Sequence, residues 1–296
     1  MQKLFPLVLI LAAAFSSAAE THVQFKRTEE VIYGRKLGTA LTMDVFQPAQ
    51  PNGFGIIFVV SGGWFSSHDS ISAAVYQSLL DRGYTVFAVV HGSQPKFQIP
   101  EIIQDMHRSV RFSRFNAKKY GVDPDHLGVT GGSAGGHLSL VLGTGLGATN
   151  APDAKDPVDR ESSAVQAVAC FFPPTDFLNY GMPGEDGVGF GILKGYKAAF
   201  GPRSDEPEAR KKLGREISPI YSIRSNTPPT LILHGDADKL VPIQQAETFL
   251  ERAKAAGVKT KLVVKTGADH GWKDWLDDFA LFNDWFDETL RGLKKN

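Results

Sequence analysis

Apolar runs of strand length alternate with amphipathic stretches along most of this chain. Gly55-Ile56-Ile57-Phe58-Val59-Val60 and Tyr84-Thr85-Val86-Phe87-Ala88-Val89-Val90 are almost unbroken apolar runs. His126-Leu127-Gly128-Val129-Thr130, residues 165–172, Pro229-Thr230-Leu231-Ile232-Leu233 and Thr260-Lys261-Leu262-Val263-Val264 follow at wider intervals. A strand that faces water on one side alternates apolar with polar residues, so runs without that alternation are covered on both faces. Between them, residues 73–82, 99–120, 133–146, 243–256 and 275–293 carry helical period; in the second of these Ile102, Ile103, Met106, Val110 and Phe112 fall near one face. The pattern predicts an α/β fold, a mostly parallel central sheet with helices on both faces.

Residues 173–227 break this rhythm with Gly181-Met182-Pro183-Gly184-Glu185-Asp186-Gly187 and a charged stretch at 203–215. A segment that long is a lid or substrate wall, or a cap over the sheet edge. The amino terminus breaks it differently. Lys3 precedes an apolar stretch at 4–15, and Ser17-Ala18-Ala19 offers small residues for cleavage before Glu20, the pattern of a secretory signal peptide. A dozen apolar residues fall short of the roughly 20 needed to span a bilayer. The expected organisation is a leader at 1–19, then a single domain over 20–296 with a cap- or lid-like insertion at about 173–227. A secreted or periplasmic location follows, without stable membrane insertion.

Composition narrows the chemistry. Of 296 residues, 42% are apolar and 22% charged, with 32 basic against 32 acidic side chains. Balanced charge without a basic run argues against a nucleic-acid partner. The chain has no His-Glu-x-x-His and no Cys-x-x-Cys, so no metal site and no cofactor are expected. Its single cysteine, Cys170, lies in the apolar run 165–172 and reads as a buried thiol. Gly143-Thr144-Gly145-Leu146-Gly147 superficially matches a dinucleotide loop but follows a helix rather than a strand, which suits a helix end instead.

The run Gly131-Gly132-Ser133-Ala134-Gly135 does occupy the right context, between a strand and a helix. There a serine sits on a sharp turn with its hydroxyl exposed above the sheet, and flanking glycines remove side chains that would collide where strand and helix cross. Ser133 is the expected nucleophile. A serine hydroxyl needs a histidine to take its proton and a carboxylate to fix that histidine's tautomer. His270, in Gly267-Ala268-Asp269-His270-Gly271-Trp272, follows a late strand and suits the base. Three carboxylates suit the acid by order along the chain: Asp238, Asp236 and Asp176. Asp238, beyond the strand 230–233, is favoured, Asp236 reads as a turn former, and Asp269 as a turn residue beside the base. An oxyanion hole needs two N–H donors; Ala134 offers one, and the loop Ser61-Gly62-Gly63-Trp64 offers Gly63 or Trp64 for the other.

These residues resemble a known family. Gly132-Ser133-Ala134-Gly135-Gly136-His137-Leu138, Tyr120-Gly121-Val122-Asp123-Pro124 and His234-Gly235-Asp236-Ala237-Asp238-Lys239-Leu240-Val241-Pro242 are similar to the α/β-hydrolase esterases. Within them the chain resembles the bacterial feruloyl and acetyl-xylan esterase-like group, related to the hormone-sensitive-lipase and prolyl-oligopeptidase hydrolase domains. The resemblance covers roughly 25–290 and implies an α/β-hydrolase fold with Asp238 as the triad acid. It departs at two points: Ser61-Gly62-Gly63 stands where His-Gly-Gly is usual, and His91-Gly92-Ser93 where Tyr-Arg-Leu is usual. The implied activity is a serine carboxylesterase acting on a small-molecule or polysaccharide-linked ester. A prolyl-oligopeptidase-type peptidase and a non-catalytic carbohydrate-binding module are the alternatives.

Overall fold

Alternate side chains of one strand serve two separate cores. The computed structural model describes residues 24–149 and 151–293, and the expected leader lies outside the described residues. Its strands are β1 (Phe25–Lys36), β2 (Thr39–Pro48), β3 (Gly55–Val60), β4 (Thr85–Val90), β5 (Leu127–Gly132), β6 (Ala167–Phe171), β7 (Thr230–Gly235) and β8 (Thr260–Lys265). In β3, Ile57 and Val59 enter one core while Ile56 and Val60 enter the other; Val168 and Cys170 of β6 divide from Ala167, Ala169 and Phe171 in the same way. The first core is closed by α2 (Ile99–Phe115), α3 (Ala134–Thr144) and α6 (Gln244–Ala255), and the second by α1 (Ala73–Asp81) and α7 (Phe279–Thr289). Each fully buried Val, Ile, Leu or Phe contributes about 1.5–3 kcal/mol, which is why two-sided burial selects unbroken apolar runs. Cys170 is buried, and burial pushes its thiol up.

The strands form one sheet in the order β1-β2-β4-β3-β5-β6-β7-β8. β1 and β2 are antiparallel to their neighbours, and the pairs from β4 to β8 are parallel. The antiparallel pair β1–β2 is absent from the reading of the apolar pattern. β1 lies at the sheet edge and carries Lys26, Arg27, Glu29, Glu30, Arg35 and Lys36, a composition that looks like loop. What allows it to pair is Asp44 of β2, buried beneath it, whose Oδ2 accepts from Arg27 Nε at 2.8 Å and Nη2 at 2.6 Å while Oδ1 accepts the Glu30 N–H at 2.9 Å.

The long helix expected over 99–120 ends at Phe115, and a separate 3-10 turn covers Ala117–Tyr120. Asn116 divides them: its backbone N–H and its side-chain amide both donate to the Phe112 carbonyl, at 3.0 and 2.8 Å, while its own carbonyl accepts the Lys119 N–H at 2.9 Å and starts the tighter turn. The stretch after β6 contains two helices, α4 (Lys197–Phe200) and α5 (Pro207–Ile217). Phe177, Leu193, Phe200, Leu213 and Ile217 of this stretch are buried in the first core, so it is packed onto the sheet assembly rather than hung from it.

Candidate active site

Ser133 is the single residue between β5 and α3, at φ 55° and ψ −120°. That backbone costs a non-glycine residue on the order of 1–3 kcal/mol and persists only where the surroundings over-determine it. They do so here. The Ser133 N–H donates to the Phe171 carbonyl at 3.0 Å, and its carbonyl accepts the His137 N–H at 2.9 Å. A Cβ on Gly131 would stand 2.7 Å from the Gly135 backbone, and one on Gly135 would stand 2.8 Å from the Val59 carbonyl oxygen. The glycines let α3 start directly against β5 and β3, which leaves the serine hydroxyl proud of the sheet.

The ends of β7 and β8 bring the other two groups to it. His270 Nε2 lies 2.9 Å from Ser133 Oγ, and its Nδ1 lies 2.8 Å from Asp238 Oδ2. The Asp238 side chain is buried, and its Oδ1 accepts the Leu240 and Val241 N–H groups at 2.9 and 2.8 Å. Burial alone would raise this carboxyl, but hydrogen bonds from His234, His270 and the Val241 N–H outweigh it and hold Asp238 well below the usual carboxylate range. An ionised acceptor on Nδ1 keeps the proton there and leaves the Nε2 lone pair facing the serine hydroxyl. The other carboxylates stand elsewhere. Asp176 is buried under Tyr221, Leu178 and Asn179 donors. Asp236 accepts the Gly267 N–H at 2.6 Å, and Asp269 accepts the Lys239 and His270 N–H groups.

Facing the serine is a two-residue turn, Gly63-Trp64, with φ of 55° and 59°. Gly62 and Phe65 close it by exchanging N–H···O bonds at 3.0 and 2.9 Å, as a type I′ turn does. The Trp64 ring turns away from the serine into the first core. Its Nε1 donates to His137 Nδ1 at 3.1 Å, and His137 Nε2 donates to the Ile217 carbonyl at 2.7 Å. Gly63 stays at the surface of the site, under Tyr196; a Cβ on it would stand 2.5 Å from the Tyr196 ring. Ala134 is the first residue of α3, so its N–H has no acceptor within the helix.

Ser61 and His91, the two departures from the resembled pattern, touch each other: His91 Nε2 lies 2.8 Å from Ser61 Oγ. His91 Nδ1 lies 2.8 Å from the Gly92 carbonyl, an acceptor only, so Nδ1 carries the proton and Ser61 donates to Nε2. Around this pair, Ser93 Oγ bridges both backbone groups of Ser66 at 2.7 Å, and Gln94 N–H donates to the Trp64 carbonyl. The whole turn is thereby anchored on the loop after β4. Tyr196 and the His91 anchor are the participants that sequence reasoning missed; the anchor's only signal was that Ser61 and His91 both break the resembled pattern, and Tyr196 had none.

Burial also sets an acid limit on the fold. Desolvation pushes His91, His107 and His137 down from the ordinary 6.5 to about 4. The unfolded chain takes up these protons below about 6.5 while the folded protein refuses them. Stability therefore falls as pH drops from about 6.5 to about 4, by up to about 1.4 kcal/mol per pH unit for each histidine. Thermal melts are expected to show Tm declining steadily from pH 7 to pH 5; a Tm unchanged over that interval contradicts the assignment.

Beside Ser133 opens a cavity of about 630 Å³. Ser61, Gly62, Gly63, Tyr196 and His270 line it along with Ser133, and Phe58, Val75, Tyr76, Phe171, Trp275 and Phe279 supply apolar wall. Trp64 is not part of that lining.

Known proteins similar to this chain are named esterases and ester hydrolases. The BD-FAE family model matches residues 43–253. Esterase LipC of Mycobacterium tuberculosis is 27% identical over 268 residues, covering 86% of this chain and 62% of LipC. Ethyl acetate hydrolase of Pseudomonas putida is 25% identical over 266 residues, covering 86% of this chain and 76% of that protein. The chain spans about half the length of two further mycobacterial relatives, LipM and LipQ. A solved structure of a truncated carbohydrate esterase from gut microbiota has a TM-score of 0.74 at 27% identity, covering 92% of this chain and 99% of that one.

Proposed function

Since the chain belongs to the BD-FAE family and carries the α/β-hydrolase fold, we propose that it is a serine carboxylic-ester hydrolase working through an acyl-enzyme on Ser133. The observation that carries this reading is the pair of hydrogen-bond distances, 2.9 Å from Ser133 Oγ to His270 and 2.8 Å from His270 to Asp238. His270 Nε2 takes the hydroxyl proton as Oγ attacks the ester carbonyl carbon, and Asp238 stabilises the imidazolium that forms. The tetrahedral oxyanion is held by the N–H groups of Ala134 and Gly63. Gly63 is preferred to Trp64 as the second donor because Gly63 lines the cavity. Collapse expels the alcohol, which receives the proton from His270. Water then attacks the acyl-enzyme with His270 again as base, releasing the acid and restoring Ser133.

The substrate is an ester whose apolar part occupies the aromatic-walled cavity and whose alcohol faces solvent. Acetyl or feruloyl esters of plant polysaccharides meet that description, and the likeness to a gut carbohydrate esterase supports it. An exported location is supported by the leader pattern at 1–19. The test is a fluorophosphonate probe combined with a substrate panel of acetylated xylan, methyl ferulate, p-nitrophenyl acetate and a proline-containing peptide. Labelling of the peptide bearing Ser133, with turnover of esters only, is the expected result. Labelling elsewhere, or turnover of the peptide in preference to every ester, overturns the proposal.

A further inference from the structure

The acid and the base stand on loops that follow different strands, and one of those strands is poorly anchored. Every residue of β7 is buried, whereas β8 ends the sheet and its side chains are half-buried or exposed. Packing of β8 therefore does little to fix His270. Contacts between the two loops do it instead. Asp236 N–H donates to the Lys265 carbonyl and Asp236 Oδ1 accepts the Gly267 N–H, while Ala237 N–H donates to the Ala268 carbonyl at 3.0 Å. The approach is so close that a Cβ on Gly235 would stand 2.2 Å from the Ala268 carbonyl oxygen. These links end two residues short of the imidazole. The imidazole itself is held by Asp238, and one further link reaches the His270 backbone: Asp269 Oδ1 accepts the Lys239 N–H at 3.0 Å and the His270 N–H at 2.8 Å. One oxygen atom thus joins the backbone beside the acid to the backbone of the base.

We propose that Asp269 is a positioning residue that acts through His270, its carboxylate oxygen clamping the base loop in register with the acid loop. The proposal rests on the assignment of Ser133, His270 and Asp238 as the catalytic triad. Asp269 is exposed and reaches no part of the substrate cavity, so its effect passes through geometry alone. The hydrogen bonds from Lys239 and His270 also hold its carboxyl below the usual range, so it accepts as a carboxylate at neutral pH. Displacing a catalytic group by about 1 Å costs on the order of 100-fold in rate. A surface side chain without this role is worth little when removed.

The experiment compares Asp269→Ala and Asp269→Asn with the wild type in steady-state ester hydrolysis, thermal melts and fluorophosphonate labelling. Alanine removes the acceptor and is expected to lower kcat about 10- to 100-fold, with KM changed by less than about twofold and Tm by only a few degrees. Asparagine keeps an oxygen at the same place and is expected to restore most of the lost rate. A kcat for Asp269→Ala within about twofold of wild type overturns the clamp. So does an asparagine variant as slow as the alanine one, because that outcome makes charge rather than the acceptor the cause. Wild-type labelling at Ser133 with an unaffected alanine variant refutes the clamp alone, whereas a wild type that is not labelled there refutes the triad assignment together with it.

Discussion

The Ser133→Ala protein is expected to hydrolyse p-nitrophenyl acetate about 10⁴–10⁶ times more slowly than wild type, with the fold intact. At about 1.4 kcal/mol per decade this is a loss of roughly 5–8 kcal/mol of transition-state stabilisation. The substitution deletes one oxygen, the atom that forms the acyl bond, and leaves the Cβ in place. Because alanine keeps the Cβ, the strain of φ 55° remains, and Tm should stay within a few degrees of wild type. Ser133→Gly separates the two effects. It is equally inactive, but glycine adopts that backbone without strain, so its Tm should exceed that of Ser133→Ala. An alanine variant that retains a tenth or more of the wild-type rate removes Ser133 from the mechanism.

Asp238→Asn is expected to cost about 10⁴ in kcat. The carboxylate accepts from His270, Leu240 and Val241 with both oxygens, and the amide can present an oxygen to only one side. If its NH₂ faces His270, Nδ1 becomes the acceptor and the proton moves to Nε2, which then cannot take the serine proton. If its NH₂ faces Leu240 and Val241, both N–H groups lose their acceptor, at about 1–3 kcal/mol for the buried one on Val241 and less for the half-buried one on Leu240. The ionised state also links to folding. A carboxyl held below its ordinary 3.8 contributes stability that is present above that value and is lost as pH falls beneath it. The asparagine variant lacks this term, so its Tm should vary less with acidification. Asp176→Asn is the contrasting case: the carboxylate binds Tyr221 and Asn179 away from the serine, so stability should fall while kcat holds. If Asp176→Asn loses the activity and Asp238→Asn keeps it, the acid has been misassigned.

The parallel strands were readable because burial on both faces leaves no polar alternation to confuse with loop. Gly131, Ser133 and Gly135 were readable because a close strand–helix crossing tolerates so few side chains. β1 was not readable. Its charges are those of a sheet edge, and its stability depends on Arg27 meeting Asp44, 17 residues away, which no local pattern contains. Tyr196 was hidden for a different reason: the stretch 173–227 has no period, so nothing marks one aromatic residue in it as facing the serine. The choice among Asp176, Asp236 and Asp238 could be weighed by order along the chain. Only their hydrogen-bond partners separate a carboxylate on His270 from carboxylates spent on turns and on Tyr221.

Tyr196 lies against Gly63, so the stretch between β6 and β7 and the turn facing Ser133 share one surface. In many enzymes the segment that selects the substrate can be exchanged while the catalytic parts stay as they were. That separation is not available to this chain. A replacement segment that widens the cavity by moving the tyrosine also uncovers Gly63, the proposed oxyanion donor, and leaves its turn to the anchor on the loop after β4 alone. Selectivity and turnover should therefore change together in chimeras, and new substrates should be reached first by changes in the opposite wall, at Val75, Trp275 and Phe279.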